Sequence, residues 1–75
     1  METELDCRGR VCPVPVLALA EALPGIAVGD VIVVLADDPA AAVDIPAWCR
    51  MKGQEYVGAE TADDGTQRHR VRRLA

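Results

Sequence analysis

The residues of this sequence best suited to chemistry are Cys12 and the prolines that follow it, in the run Cys12-Pro13-Val14-Pro15. Proline disfavours the helical conformation at the residue before it and is tolerated in the first turn of a helix. The run therefore predicts that Cys12 is the N-cap of a helix that begins at Pro13. A thiol at this position faces the positive end of the helix dipole, which lowers its pKa below the ~8.5 of free cysteine.

The residues around Cys12 define how strongly a thiolate would be held. Pro15 has no N–H, so Val14 supplies the one remaining amide that a capping sulfur usually accepts from. Arg8 and Arg10 lie just upstream and add positive charge. This pattern predicts a partly stabilised, reactive thiolate. The alternative is a small buried cysteine beside a helix start, because free cysteine is often buried.

The other cysteines and the single histidine argue against disulfide and metal chemistry. The sequence has three cysteines, an odd number that does not favour a disulfide-stapled secreted domain. It has no Cys-x-x-Cys pair and only His69 as a histidine, so we expect no metal and no cofactor. Alternation points Cys7 into a core, although a role as a resolving thiol stays open. Cys49 is expected to be a core residue.

The charge of the chain is acidic overall and basic near its end. The net charge is −4, which disfavours a general nucleic-acid binder because such affinity depends on phosphate neutralisation. The C-terminal arginines predict either a solvated strand face or a docking surface for an acidic partner. They are Arg68, Arg70, Arg72 and Arg73. Without a membrane-length apolar run or an apolar leader, we expect one cytoplasmic domain over residues 1–75, monomeric when free.

Two apolar patterns predict the elements on either side of Cys12. Alternation over residues 3–7 is typical of a short half-buried strand, and residues 14–23 predict a helix. Leu17 and Ala18 lie off the stripe of this helix that would face a sheet. The outer side is therefore either an ordinary alanine-rich surface or a docking patch beside Cys12. The inward stripe is predicted to comprise Val16, Leu19, Ala20 and Leu23.

The next part of the chain predicts a central strand and a second helix. Residues 31–36 form a continuous, largely β-branched apolar run, typical of a strand covered on both sides. The run Asp37-Asp38-Pro39 then predicts the start of a helix that continues to about Lys52. Pro46 is expected to kink this helix or to split off its first turn. The inward residues are predicted to be Ala41, Ile45, Trp48 and Cys49.

The last third of the chain predicts a hairpin, which completes the architecture. Residues 54–61 and 66–74 read as strands joined by the turn Asp63-Asp64-Gly65. The order is β-α-β-α-β-β, with a parallel, right-handed first crossover. The expected fold is therefore a two-layer α/β (α+β) sandwich, with two helices on one face of a four-stranded mixed sheet.

Two blocks of this sequence resemble the TusA/SirA-like family. The first is Cys12-Pro13-x-Pro15, the identifying motif of that family, preceded by Leu5-Asp6 and Gly9. The second comprises Ala36-Asp37-Asp38-Pro39-Ala40 and Asp44-Ile45-Pro46-x-x-Cys49. The resemblance covers essentially the whole chain, in order. It implies the same β-α-β-α-β-β sandwich, with the last strand between the second and the third.

The resemblance also implies a function, that of a small sulfur carrier. In such proteins the motif cysteine, here Cys12, carries sulfane sulfur as a persulfide. Its donor would be a cysteine desulfurase or a rhodanese, and its acceptor another protein of tRNA thiolation or sulfur metabolism. Arg8, Arg10, Leu17 and Ala18 are the residues we expect at the partner contact. The alternative is a regulatory protein-binding module without sulfur chemistry, and direct nucleic-acid binding ranks third.

Overall fold

The chain folds into two helices and a mixed four-stranded sheet in a computed structural model that describes residues 2–75. The elements are β1 (Glu2–Asp6), α1 (Val14–Ala22), β2 (Val31–Ala36), α2 (Ala41–Lys52), β3 (Glu55–Thr61) and β4 (Gln67–Arg72). A short 3-10 turn, Leu23–Gly25, follows α1. This arrangement confirms the predicted α+β sandwich and its element order.

The strands lie in the order β1-β2-β4-β3. β1 pairs with β2 in parallel, as the first crossover predicted, and β4 runs antiparallel to both of its neighbours. The last strand therefore lies between the second and the third, as the family resemblance implied. The hairpin closes where the Ala62 amide donates to the Thr66 carbonyl at 2.8 Å. Because β1 and β2 are parallel, the loops that leave their carboxyl ends lie side by side.

The main core lies between the sheet and the helices. Leu19 and Leu23 are buried, and Val16 and Ala20 are half-buried against the core, so the inward stripe of α1 is as predicted. The buried residues of α2 are Ala41, Ile45, Trp48 and Cys49, also as predicted.

Pro46 lies inside α2 without dividing it. One of the two predicted outcomes, a separate first turn, was therefore wrong. Proline removes the hydrogen bond that the carbonyl four residues earlier would otherwise accept. That residue is Ala42, which is exposed, so water can solvate its carbonyl group.

A second apolar row is buried on the sheet face away from the helices. It consists of Val31, Val33 and Leu35 of β2. Three arginines of β4 stand beside this row in register, and their aliphatic stems help to cover it. Their ion pairs with the outer strands include Arg68–Glu4 at 3.2 Å, Arg70–Glu2 at 3.3 Å and Arg72–Glu55 at 2.9 Å, and both Arg68 and Arg70 also pair with Glu60. The arginine stripe is therefore largely a strand face paired with carboxylates of the same chain.

Arg73 has a different role from the arginines of β4. Its guanidinium group donates hydrogen bonds to the carbonyl oxygens of Leu23, Pro24 and Ile26. These carbonyls follow the end of α1, where backbone acceptors lack intrahelical donors. Arg73 thus fastens the chain after α1 to the chain after β4.

Candidate functional site

Cys12 lies in the loop between β1 and α1 and is half-buried. The prediction that it is the N-cap was wrong by one residue. Pro13 is the N-cap of α1, Val14 is the first helical residue, and Pro15 is the second. Cys12 therefore stands just outside the helix, after a turn in which the Val14 amide donates to the Val11 carbonyl at 3.0 Å.

This turn changes what the helix start can offer the sulfur. The Val14 amide, which the sequence had left as the one capping donor, is already used by Val11. Pro15 contributes no N–H, as predicted. The first turn of α1 also has no side-chain cap. Stabilisation of a thiolate by the end of α1 is therefore weaker than the motif suggested.

The Cys12 loop is held by aspartates from the neighbouring loop. The Cys12 amide donates to Oδ2 of Asp38 at 2.9 Å, and Oδ1 of Asp38 accepts from the Ala40 amide at 3.0 Å. The Gly9 amide donates to the Asp37 carboxylate, at 3.1 and 3.0 Å from its two oxygens. Gly9 has a φ of 76°, in the left-handed region that favours glycine. Asp37 and Asp38 thus fix the loop that presents Cys12.

The electrostatic surroundings of Cys12 raise its pKa, so the prediction of a lowered pKa was wrong. Burial is the largest cause, because it removes water that would solvate the thiolate. The second cause is Asp44 of α2, whose carboxylate accepts a hydrogen bond from the thiol and repels the thiolate. The negative charge of Asp38 acts in the same direction. The free thiol is therefore the favoured form near neutral pH.

The arginines upstream of Cys12 do not offset these carboxylates. Arg8 is paired with Asp6 at 2.6 Å and approaches Asp64 at 3.5 Å. Arg10 is exposed, and its charge lowers the pKa of Cys7, which burial nevertheless raises overall. The expected electrostatic help from Arg8 and Arg10 is therefore not found at the Cys12 thiol.

The exposed apolar residues next to Cys12 are not the same as those predicted for the outer side of α1. Leu17 is 57% exposed, whereas Ala18 is half-buried and packs against the core. Val11 and Val14 are also exposed, at 69% and 37%, and sequence reasoning missed them. The spacing of Val14 and Leu17 by three residues could have found Val14, since such residues share a helix face, whereas Val11 lies in the loop before α1 and has no such signal.

A groove lies between α1 and α2, and its lining includes Pro13, the residue after Cys12. Its volume is about 270 Å³. Its lining consists of Pro13, Val16, Asp44, Ala47, Trp48 and Met51. Asp44, which raises the pKa of the Cys12 thiol, is the one charged residue in this lining. Sequence reasoning did not find the groove, because it depends on how the two helices pack.

Cys7 and Cys49 are buried, at 5% and 1% exposure, as alternation and helix periodicity predicted. Burial raises the pKa of the Cys49 thiol to about 11. Within residues 2–75 there is no group of His, Cys, Asp and Glu side chains able to hold a metal ion. The same residues contain no helix long and apolar enough to cross a membrane. Cys12 is thus the accessible cysteine of the three.

The fold and the site define a class of protein: a small α/β sandwich that presents one accessible cysteine just before its first helix. Residues 3–73 match the family described as sulfurtransferase TusA. The chain belongs to this family, as its Cys-Pro-x-Pro motif predicted.

Similar proteins extend over almost the whole chain. A protein of Archaeoglobus fulgidus, whose name provisionally assigns it as a sulfur carrier, is 44% identical over 69 residues, covering 92% of this chain and 90% of its own. The sulfur carrier protein TusA of Pseudomonas syringae pv. syringae is 37% identical over 73 residues, covering 97% and 86%. These names support a sulfur carrier role.

A solved structure supports the fold independently of sequence. The SirA-like protein of Desulfitobacterium hafniense superposes with a TM-score of 0.84 at 24% identity, and all of each chain is covered. The likeness extends to the complete sheet and both helices.

Proposed function

We propose that the protein carries sulfane sulfur as a persulfide on Cys12 and passes it from a donor protein to an acceptor protein. The observation that carries this proposal is the difference among the three cysteines. Cys12 is accessible in the family motif, whereas Cys7 and Cys49 are buried in the core. A relay needs a sulfur that two partners can reach in turn, and Cys12 meets that need.

The reaction consists of two thiol exchanges. The Cys12 thiolate attacks the outer sulfur of a donor persulfide, a new S–S bond forms, and the donor S–S bond breaks. The donor cysteine leaves as a thiolate and takes up the proton that Cys12 lost. An acceptor thiolate later attacks the outer sulfur on Cys12, and the Cys12 thiolate leaves and is reprotonated. The two steps balance without an oxidant, a reductant or a cofactor.

The half-buried position of Cys12 suits this exchange. A persulfide extends the side chain by an S–S bond of about 2.05 Å, so the transferable sulfur lies further from the protein than Sγ does. Loading thus adds a second sulfur beyond Sγ, which a partner thiolate can attack.

The proposed partners are a sulfur donor of the cysteine desulfurase or rhodanese type and a sulfur-accepting protein. The exposed side of α1 next to Cys12 is the proposed contact surface, with Leu17 at its centre and Ala18, Arg8 and Arg10 at its edges. We also propose that residues 1–75 act in the cytoplasm as one domain, monomeric between encounters. Direct binding of nucleic acid is not part of this function.

The experiment is intact-mass measurement of the reduced protein after incubation with glutathione persulfide. A mass gain of about 32 Da that dithiothreitol removes is the expected result. Alkylation of Cys12 with iodoacetamide before loading should abolish the gain. A protein that gains no sulfur, or gains it equally after Cys12 is blocked, would not be a carrier of this kind.

A further inference from the structure

Among the carboxylates around Cys12, Asp44 has neither an ion pair nor a backbone N–H donor within residues 2–75. Asp37 and Asp38 accept backbone N–H groups of their own and the adjoining loop, whereas Asp44 is exposed and raises the pKa of the Cys12 thiol. Within residues 2–75, the ion pairs use other carboxylates, on Glu2, Glu4, Asp6, Glu55, Glu60 and Asp64. The negative charge beside the thiol is therefore uncompensated in the free protein.

Asp44 also stands at the end of an apolar groove. The α1–α2 groove has five uncharged lining residues, and Met51 at its rim is 74% exposed. Exposed apolar surface beside a reactive residue is typical of a binding surface. The groove and the carboxylate thus form one continuous surface that begins at Pro13, the residue after Cys12.

We infer that this groove binds a segment of a sulfur-exchanging partner that combines apolar side chains with a lysine or arginine, and that this cation pairs with Asp44. The inference rests on the proposed function, because it concerns the partner of the same cysteine. The inference adds a second contact surface to the one proposed on α1, and it specifies the chemistry of the segment that binds there.

The chemistry of transfer explains why such a segment must come close. The partner cysteine has to bring its sulfur into bonding distance of Cys12 Sγ, so the residues flanking that cysteine reach the adjoining groove. An acidic segment would be repelled by Asp38 and Asp44. A neutral apolar segment would cover Asp44 without pairing its charge, which costs free energy. A segment with both an apolar side chain and a cation can pack against the apolar lining and pair with the Asp44 carboxylate.

Pairing with Asp44 would also activate the thiol. The groups that act on Cys12 are Asp44 of α2, Asp38 before α2 and Cys7 after β1. A docked cation that neutralises Asp44 lowers the pKa of Cys12, and the released proton passes to water. At fixed pH, each unit by which the pKa falls raises the thiolate fraction about tenfold and lowers the intrinsic nucleophilicity of the thiolate by less. The net gain is about threefold in rate per unit near neutral pH. The free carrier is therefore slow to react until its partner docks.

Thiol–disulfide exchange with short peptides tests this inference without a known partner. The probes are the symmetric disulfides of four cysteine peptides: Cys-Leu-Leu-Lys, Cys-Gly-Gly-Lys, Cys-Leu-Leu-Glu and Cys-Gly-Gly-Glu, with blocked termini. Formation of the mixed disulfide with Cys12 is followed by mass at pH 7. Each rate is divided by the rate of 2-mercaptoethanol with the same probe, which removes the intrinsic reactivity of the peptide.

The expected result is a preference of at least about fivefold for lysine over glutamate, because attraction of lysine to one charge in water is alone worth about fivefold and repulsion of glutamate adds to it. Leucine should add a further gain over glycine. Asp44→Asn should reduce the lysine preference to the part that Asp38 contributes, and Met51→Gln should reduce the leucine gain. The matched control is Glu21→Gln, which removes the same charge near the far end of α1 and should change neither preference. Circular dichroism verifies that each variant is folded.

The inference is overturned if the four normalised rates are equal in the natural protein, or if Asp44→Asn retains the lysine preference undiminished. Neither result depends on sulfur loading. Persulfide loading of Cys12, measured by the mass gain described above, decides the proposed function separately. If the protein loads sulfur but shows no peptide preference, the proposed carrier function stands and the proposed binding role of the groove is wrong.

Discussion

The backbone amide of Cys12 donates a hydrogen bond of 2.9 Å to the carboxylate of Asp38, which lies much later in the chain. This bond joins the loop after β1 to the start of α2. It fixes the reactive cysteine through its backbone and leaves the side chain free to exchange sulfur. The same carboxylate also accepts a hydrogen bond from the Ala40 amide, so one side chain holds both the Cys12 loop and the turn that precedes α2.

Replacing Asp38 should loosen the Cys12 loop. We expect Asp38→Ala to lower the melting temperature and to remove the hydrogen-exchange protection of the Cys12 and Ala40 amides. Asp38→Asn keeps one acceptor oxygen and should lose less protection. Asp63→Ala, an exposed aspartate of the hairpin turn, is the control and should leave both amides protected. Unchanged exchange at Cys12 in Asp38→Ala would contradict this role.

The same bond predicts a dependence on pH. The amides of Ala40 and then Cys12 lower the pKa of Asp38 in the folded protein. A carboxyl group with a depressed folded pKa stabilises the fold above its unfolded pKa of ~3.9. That stabilisation is lost as the pH falls through the folded value. NMR titration of Asp38 should place its midpoint below that of a free aspartate, and a midpoint at or above ~3.9 would be inconsistent with the bond.

Cys12 should titrate above a free cysteine when it carries no sulfur. Burial, Asp44 and Asp38 all disfavour the thiolate. We therefore expect its alkylation by iodoacetamide to increase with pH beyond ~8.5, where a free thiol is half ionised. Asp44→Asn should move the profile to lower pH. A natural protein whose alkylation rate is already constant by pH 8 would show that the carboxylates do not control the thiol.

Cys7 and Cys49 should contribute to stability and not to sulfur transfer. Each is buried in the core between the helices and the sheet. Truncation to alanine leaves a small cavity, and we expect Cys49→Ala to lower the free energy of unfolding by about 1–2 kcal/mol. Cys7→Ala should be similar. Denaturant titration measures this, and a loss of stability near zero would mean that the cavity closes or that the thiol is not packed.

His69 should make the protein less stable in mild acid. It is 1% exposed, its Nδ1 is 2.9 Å from the Tyr56 hydroxyl, and its Nε2 has no partner within the described residues. Burial lowers the pKa of His69, so below about 6.5 the unfolded chain binds more protons than the folded one. The free energy of unfolding should therefore decrease as the pH falls below this value and be unaffected by His69 above it.

The comparison is with His69→Leu, which keeps a side chain of similar size. Denaturant titrations at pH 7.5, 6.5 and 5.5 should show a decrease in the natural protein and a smaller one in the variant. Measured from its value at pH 7.5, the free energy of unfolding should have fallen further in the natural protein than in the variant, most clearly at pH 5.5. Equal pH dependence in both proteins would rule out His69 as the cause.

Local patterns in the sequence were enough to predict most of the fold. The alternation before Cys7, the apolar run at residues 31–36 and the turn at residues 63–65 each determine one element from neighbouring residues alone. The position of β4 between β2 and β3 does not follow from such patterns, and it came from the family resemblance. Pro46 predicted either a kink or a separate first turn of α2, and the helix continues through it without a separate turn.

The environment of Cys12 was the main point that sequence reasoning predicted wrongly. The motif suggested a thiolate held by a helix end and two arginines. In the fold, the Val14 amide donates to the Val11 carbonyl and Arg8 forms an ion pair with Asp6. Asp44, which belongs to the other helix, raises the pKa of the Cys12 thiol. Such a contact depends on tertiary packing, and no local spacing around Cys12 contains it.

The most direct test of the central claim is mass-resolved sulfur loading of single-cysteine variants, with the natural protein alongside. Serine is close in size to cysteine, so Cys12→Ser should fold normally. We expect it to gain no sulfur from glutathione persulfide, whereas Cys7→Ala and Cys49→Ala should each gain about 32 Da and pass it to an acceptor thiol. Stable loading of Cys12→Ser, or loss of loading in a folded Cys7→Ala, would contradict a carrier that relies on Cys12 alone.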